Sequence, residues 1–436
     1  MWPYETVVYQ IYPIGLTGAP RHNDGTAASR LPAIKSWIPH LKKLGIGCVL
    51  FNPLFESVSH GYDQTDMRRV DVRLGTNEDL KELVDAFHEA GIRVMFDAVF
   101  NHVGREFFAF SDVREKKWNS PYAGWFNVSF DGNSPFGDGF WYEGWEGHYE
   151  LVKLNLKNPD VKRYLCDSAK FWISEFGVDG LRLDVAYLLD HDFIRQLAWE
   201  TKQAKQDFFL MGETLFGDYN LLMKDGMLDS VTNYECYKGI YSSINSANFF
   251  EISYSFNRQF GSDPWCLYRG RHLLSFVDNH DVSRIIDRID DERNLMIAYG
   301  LIFSMPGIPC IYYGSEWGIH GRKEEGDDAL RPAVSKPEWN EVTDMIAAFA
   351  RIRRENPQLS YGGYRNIDVK NRQLSFLRED ENGKVYAFFN LEDAPFTFHG
   401  DYLRGTFTDL LENEKLSMDG SFAVPGHGVK LLRQER

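Results

Sequence analysis

The chain has 436 residues, enough for one large domain and a small one. A net charge of −15 argues against a surface that tracks nucleic-acid phosphates. No run approaches the roughly 18 uninterrupted apolar residues of a membrane span. Five cysteines, odd in number and never closely spaced, argue against a disulfide framework or a zinc site and fit a cytoplasmic protein.

Taken in order, apolar strand-like runs alternate with helical patterns. Residues 7–14 are followed by a helical repeat over 31–44, a second run at 48–55, and a helix over 77–90 with Asn77 as its expected N-cap. A third apolar run covers 93–100. Gly45 and Gly91 stand where those two helices should stop. Strand, helix, strand, helix reads as a parallel sheet with crossover helices. The alternation breaks after His102. Residues 103–153 are rich in Gly, Phe, Trp and Asp without clear periodicity, and a stretch of that length is expected to be functional or a small domain.

Alternation resumes with a helix near 161–176 and a strand at 180–186. A helix over 193–206 and strands at 208–212 and 230–234 follow. An apolar run at 273–277, a helix over 295–304 and a last run at 309–313 complete the pattern. Eight strands with intervening helices predict an α/β fold, a (β/α)8 barrel built from residues 1–102 and 154–356 with 103–153 inserted after strand three. From 357 to 436 short runs separated by turn signals, including Asn382-Gly383, predict a C-terminal antiparallel β domain, read as a sandwich without helices.

Polar residues collect where the strands end. Strand three ends in Asp97-Ala-Val-Phe-Asn101-His102, and strand four in Gly180-Leu-Arg182-Leu-Asp184-Val-Ala186. Strand five ends in Gly212-Glu213-Thr214, and strand seven in Asp278-Asn-His280-Asp281. Arg182 and Asp184 are two apart and therefore point to one side of their strand. A structural ion pair accounts for that pair alone. In a barrel, however, all these ends share one face, and carboxylates converging there raise one another's pKa. A protonated acid beside an ionised carboxylate is the arrangement that cleaves glycosidic bonds.

These four segments, in this order and spacing, resemble the conserved regions of the α-amylase family of glycoside hydrolases. Leu154-Asn155-Leu156 and Gly307-Ile-Pro-Cys-Ile-Tyr-Tyr-Gly314 add to the likeness. Asp184-Val-Ala and Asp71-Val-Arg-Leu-Gly-Thr76 are similar to the cyclomaltodextrinase, neopullulanase and maltogenic amylase group within it. The resemblance implies that Asp184 is the nucleophile, that Glu213 is acid and then base, and that Asp281 stabilises the cationic transition state. It implies that Arg182 orients Asp184 and that His102 and His280 bond the sugar hydroxyls. Tyr62, in His60-Gly-Tyr62-Asp63, would stack under that sugar, with Asp63 beside it. Asp327 and Arg331 resemble the pair bounding the non-reducing side of the cleft. The rings of the insert (Phe107, Phe108, Trp125, Phe126, Phe140, Trp141 and Trp145) are expected to wall the cleft, with Trp141 and Trp145 binding substrate.

Calcium-binding members of the family carry Lys-His three and four residues past the nucleophile, where this chain has Tyr187-Leu188. No metal or cofactor is therefore expected to be required, although a structural calcium elsewhere is compatible with the sequence. The group's extra N-terminal β domain is not expected, because the chain starts on its first strand. The implied function is retaining hydrolysis of α-1,4-glucosidic bonds, with α-1,6 bonds as a second linkage, in malto-oligosaccharides or cyclic dextrins. Transglycosylation or isomerisation through the same covalent intermediate is the alternative. A non-catalytic amylase-like scaffold is remote, since all three carboxylates are present. Oligomeric state is left open.

Overall fold

Each of the eight apolar runs becomes a parallel strand in the computed structural model, which describes residues 1–435. Arg436, the last residue of the expected C-terminal domain, lies outside the described residues. The strands are β1 (Val8–Ile11), β2 (Cys48–Phe51), β3 (Arg93–Ala98) and β4 (Gly180–Leu183). They continue with β5 (Phe209–Gly212), β6 (Ser230–Val231), β7 (Leu274–Ser275) and β8 (Ile308–Tyr312). Hydrogen bonding orders them β6-β5-β4-β3-β2-β1-β8-β7. A parallel bridge from Thr232 to Leu274 closes the ring.

The period of two along each strand divides its residues between two cores. Val8, Cys48, Leu50, Met95, Phe209, Met211, Leu274, Ile308 and Cys310 fill the barrel interior. Their neighbours Tyr9, Val49, Val94, Leu181 and Leu210 face the helices in the larger core. The same parity carries Gln10, Asn52, Asp97 and Arg182 inward, above the apolar layers. Register then sets Asp97 directly beside Arg182 across the β3–β4 ladder.

The helix over Asn77–Glu89 is capped one residue earlier than expected. Thr76 accepts the Asp79 N–H at 3.1 Å, and the Asp79 carboxylate accepts the Thr76 N–H at 3.0 Å. Asn77 instead ties the preceding loop, accepting from Val70 N and donating to Arg68 O. The expected helix over 31–44 is split into Leu31–Ile34, a 3-10 turn at Lys35–Trp37, and Ile38–Leu44. Pro39 has no N–H to donate, which suits it to the first turn of the last piece and not to a helix interior. Gly45 ends that piece at φ 86°, as its position predicts.

The insert opens from the end of β3. His102–Gly104 pairs with His148–Lys153, which pairs in turn with Gly144–Trp145. Phe107, Phe126 and Phe140 are buried and Trp125 nearly so. These four rings build the core of the insert and do not wall the cleft as expected.

The C-terminal segment differs from the two-sheet sandwich read from sequence. Its six strands are β9 (Gly363–Val369), β10 (Gln373–Asp380), β11 (Gly383–Asn390), β12 (Phe396–Asp409), β13 (Glu414–Val424) and β14 (Gly428–Gln434). They make one antiparallel sheet in the order β9-β10-β11-β14-β12-β13. The runs at 397–399 and 406–409 are two ends of β12, joined across a register shift. A single helical turn, Gln358–Tyr361, precedes the sheet. One face packs on the helix Leu295–Ser304, where a Cβ on Gly300 would stand 3.0 Å from Val429 and 3.2 Å from Phe389. The other face gathers Leu377, Tyr386, Phe388, Phe398 and Phe407 into a second core.

Candidate active site

The chemistry is built around one guanidinium. Arg182 is buried, and its Nη1 lies 2.7 and 2.8 Å from the two oxygens of Asp97 and 3.0 Å from Asp184 Oδ1. Its Nη2 lies 2.7 Å from Glu213 Oε1. Three carboxylates thus share one cation in a site closed to bulk water, an arrangement stable only while the charges remain balanced.

Backbone geometry brings the second oxygen of Glu213 into play. Val185 follows Asp184 with φ 41°, the left-handed region that a β-branched residue rarely occupies and that costs of order 1–3 kcal/mol. The turn aims the Val185 N–H at Glu213 Oε2, 3.0 Å away. The strained residue therefore ties the end of β4 to the carboxylate of β5.

Burial pushes the carboxyls of both Asp184 and Glu213 up, and Arg182 opposes it. Asp281 adds negative charge to both, and Glu213 itself repels Asp184. Both carboxyls are therefore raised above the usual carboxylate range. Asp281 behaves oppositely. Burial pushes it up, but His280 and Arg331 outweigh that and hold it well below its usual range. Its Oδ2 lies 3.0 Å from His280 Nε2 and its Oδ1 3.0 Å from Arg331 Nη2. Its side chain is 36% exposed and opens to the cleft.

A row of amides that sequence reasoning passed over sets these groups. Gln10 Nε2 donates to Asn52 Oδ1 and meets His280 Nδ1, both at 2.9 Å. With Nδ1 accepting, the network assigns the proton of His280 to Nε2, where it faces Asp281. Asn52 Nδ2 donates to Asp97 Oδ2 at 2.9 Å and to Tyr62 Oη at 3.1 Å. The available signal was a lone amide in, or directly after, an apolar strand. Asp97, the carboxylate in which β3 ends, is the principal partner of Arg182.

The remaining expected residues divide into those the fold gathers and those it does not. Tyr62 stands at the site, stacked on His280 with ring centres 5.7 Å apart and donating to Asp97. His102 is buried, its Nδ1 3.1 Å from Asn101 Nδ2 and its Nε2 without a hydrogen-bond partner among the described residues. Burial lowers its pKa to about 3, so the ring is neutral. Trp145 lies against it, ring centres 5.7 Å apart. Arg331 does more than bound the cleft, since it holds Asp281 directly. Asp327 stands 3.5 Å from Arg331, half exposed at the rim.

Asp63 is not free for substrate. Its carboxylate accepts from Ser59 N at 3.1 Å and Ser59 Oγ at 2.6 Å, fixing the loop that carries Tyr62. Trp141 is 39% exposed, its Nε1 donating to Tyr149 Oη at 3.2 Å. It makes no ring contact with the site.

Among the described residues Asn101 Oδ1 also has no hydrogen-bond partner. Among the described residues, however, no three His, Cys, Asp or Glu side chains group around a point that could hold a metal ion. A neutral amide alone does not supply the carboxylate-rich oxygen cage that calcium takes.

The chain matches the model of the alpha-amylase catalytic domain over residues 10–358. It is 32% identical over 426 residues to a cyclomaltodextrinase of a Bacillus species, covering 91% of this chain and 74% of that one. A maltogenic alpha-amylase of Bacillus acidopullulyticus is 31% identical over 450 residues, covering 95% and 74%. Ligand-free cyclic alpha-maltosyl-(1→6)-maltose hydrolase from Arthrobacter globiformis superposes with a TM-score of 0.86 over 100% of both chains. At 24% identity it attests the fold alone.

Proposed function

The chain belongs to the α-amylase family of retaining glycoside hydrolases, and on that premise we propose that it hydrolyses α-glucosidic bonds in short malto-oligosaccharides or small cyclic dextrins with Asp184 as nucleophile and Glu213 as acid and base. The observation that carries this reading is the sharing of the buried Arg182 guanidinium by Asp184 and Glu213. In the reacting complex the acid proton sits on Glu213, because an attacking carboxylate must be ionised.

A carboxylate oxygen of Asp184 bonds to the anomeric carbon while the glycosidic C–O bond breaks, and the leaving oxygen takes the proton of Glu213. Positive charge developing on the ring faces Asp281, held ionised by His280 and Arg331. In the second step Glu213, now a carboxylate, takes a proton from water. The water oxygen bonds to the anomeric carbon, the ester bond breaks, and Asp184 is released. The product keeps the α configuration.

A sugar hydroxyl can replace water in that second step. The rings of Tyr187 and Phe216, centres 5.4 Å apart beside Glu213 with Phe216 68% exposed, favour an acceptor on that side. Product analysis on maltotriose separates the two readings, since transfer yields oligosaccharides longer than the substrate.

Neither step calls on a metal, and we propose that none is required. Tyr187-Leu188 at the Lys-His positions and the donor set around Asn101 support this. The five cysteines are unpaired, which suits a reducing compartment, and we propose cytoplasmic action. Among the described residues no helix is long and apolar enough to cross a membrane.

Initial rates on maltotetraose and amylopectin at equal glucose-unit concentration test the substrate class. Faster cleavage of maltotetraose is expected. Faster amylopectin cleavage with a rapid fall in iodine staining would show an open cleft and overturn it.

A further inference from the structure

Asp281 and Arg331 lie 3.0 Å apart but stand on separate loops, one after β7 and one after β8. One buried side chain joins their two roots. The Asp281 loop is closed at its foot, where Asp278 Oδ2 accepts the Ile285 N–H at 2.8 Å. Arg284 stands at that foot, fully buried, and its guanidinium reaches the other loop. Nη2 donates at 2.9 Å to Leu330 O, the carbonyl directly before Arg331. Nη1 donates to Tyr313 O at 2.7 Å and to Ser315 Oγ at 2.9 Å. Ser315 Oγ donates in turn to Asp278 Oδ2 at 2.8 Å, which returns the chain of contacts to the Asp281 loop.

The backbone around Arg331 is fixed at three successive carbonyls. Leu330 O accepts from Tyr312 Oη at 3.0 Å as well as from Arg284. Gly15 packs on Arg331 O so closely that a Cβ there would stand 2.3 Å away. Pro332 O accepts from Tyr313 Oη at 2.8 Å. From this root Arg331 makes a second contact with the Asp281 loop, its Nε donating to His280 O at 3.1 Å. The Arg284 guanidinium is itself held 4.0 Å over the Tyr312 ring. A planar fork of donors meets these separate acceptors at once, which the point charge of a lysine cannot do.

We propose that Arg284 is a positioning residue for the reaction, setting the root of Arg331 against the root of Asp281 and so fixing the carboxylate that faces the charged transition state. Being fully buried, Arg284 acts through Arg331 and not on the substrate. The charge of Asp281 counts most as the ring becomes cationic, so a displaced pair lowers kcat with little change in KM. A plain packing role predicts lost stability and nothing else. A positioning role predicts a loss of rate that depends on Arg331 being present. The inference rests on the hydrolase reading above and adds a residue to its machinery.

The test is a double-mutant cycle on the whole protein with maltotetraose as substrate, assayed well below each Tm. Arg284→Lys is expected to lower kcat about tenfold to a hundredfold, as a shift near 1 Å does, with KM within about threefold. In an Arg331→Ala background the same change should lower kcat by less than about threefold. Should Arg284→Lys not fold, Tyr312→Phe carries the same cycle, since it keeps the ring and removes one donor from Leu330 O. Its expected loss of kcat is about threefold, and that loss should vanish without Arg331. Arg353→Lys is the control for simple destabilisation. That guanidinium is also buried, and it holds Leu359 O and, at the start of β8, Gly307 O, at the end of the barrel away from the site. Arg353→Lys should lower Tm and leave kcat within about twofold. An unchanged kcat, a change confined to KM, or a loss that persists in full without Arg331 overturns the proposal. An unaltered protein that does not cleave maltotetraose would instead remove the hydrolase reading itself, and the proposal with it.

Discussion

Nη2 of Arg182 stands 2.7 Å from Glu213 Oε1, while Nη1 of the same guanidinium stands 3.0 Å from Asp184 Oδ1. One cation therefore counters the nucleophile and the acid, and Asp97 as well. Arg182→Ala leaves buried carboxylates without a partner, which costs about 3–5 kcal/mol. Activity should vanish and the urea midpoint should fall. Arg182→Lys should recover only part of the stability, because a point charge cannot reach three partners from one position. A fully stable Arg182→Ala protein would contradict this account of the site.

The pH profile follows from the pair. Burial raises both Asp184 and Glu213 against the pull of Arg182. The active form holds one proton on the pair, so activity is lost as pH rises through the higher of the two values. That limb of kcat/KM should lie above the ordinary carboxylate range. Glu213→Gln should erase it along with most of the rate. His102, lowered to about 3 by burial, should contribute no limb near neutrality.

Stability should respond with the opposite preference. A carboxyl whose folded pKa is raised stabilises fully below its unfolded value, and that stability is lost as pH rises through the folded value. Asp184→Asn and Glu213→Gln cannot ionise and escape that loss. Their Tm should exceed that of the unaltered protein at pH 7, with a smaller difference at pH 4. Calorimetry at the two values decides it, and amide variants less stable at both would show that the Arg182 contacts outweigh burial.

Two tryptophans with similar sequence surroundings should behave differently. Trp145 touches His102, whereas Trp141 is 39% exposed and is bonded to Tyr149. Trp145→Ala should raise KM for maltotetraose roughly threefold to tenfold with a smaller change in kcat, as expected for lost stacking that acts on ground and transition states alike. Trp141→Ala should leave both within about twofold. Steady-state kinetics of both variants check this, and equal effects would mean that the rings reach the same sugar.

Exhaustive EDTA treatment should leave activity on maltotetraose unchanged. A large loss restored by Ca²⁺ would place an oxygen ligand set around Asn101 and the insert, contrary to the proposal.

The barrel was legible in the sequence because strands buried on both faces write themselves as apolar runs, and helices between them repeat at 3.6 residues. Asp97, Arg182, Glu213 and Asp281 were legible because charged side chains ending such runs have few structural reasons to be there. What lay outside the run pattern needed the fold. Gln10 and Asn52 are single uncharged amides, and only the register of β1, β2 and β3 brings them to His280 and Asp97. The aromatic richness of the insert named its rings but not their sides, since Phe107 and Phe140 bury where Trp145 meets the site. The C-terminal runs showed their alternation without their partners, and pairing alone decides whether six strands make one sheet or two. Arg21 and Asp328 are 307 residues apart and ordinary in their local sequence. Only closure of the ring, which sets β1 beside β8, brings them into one ion pair.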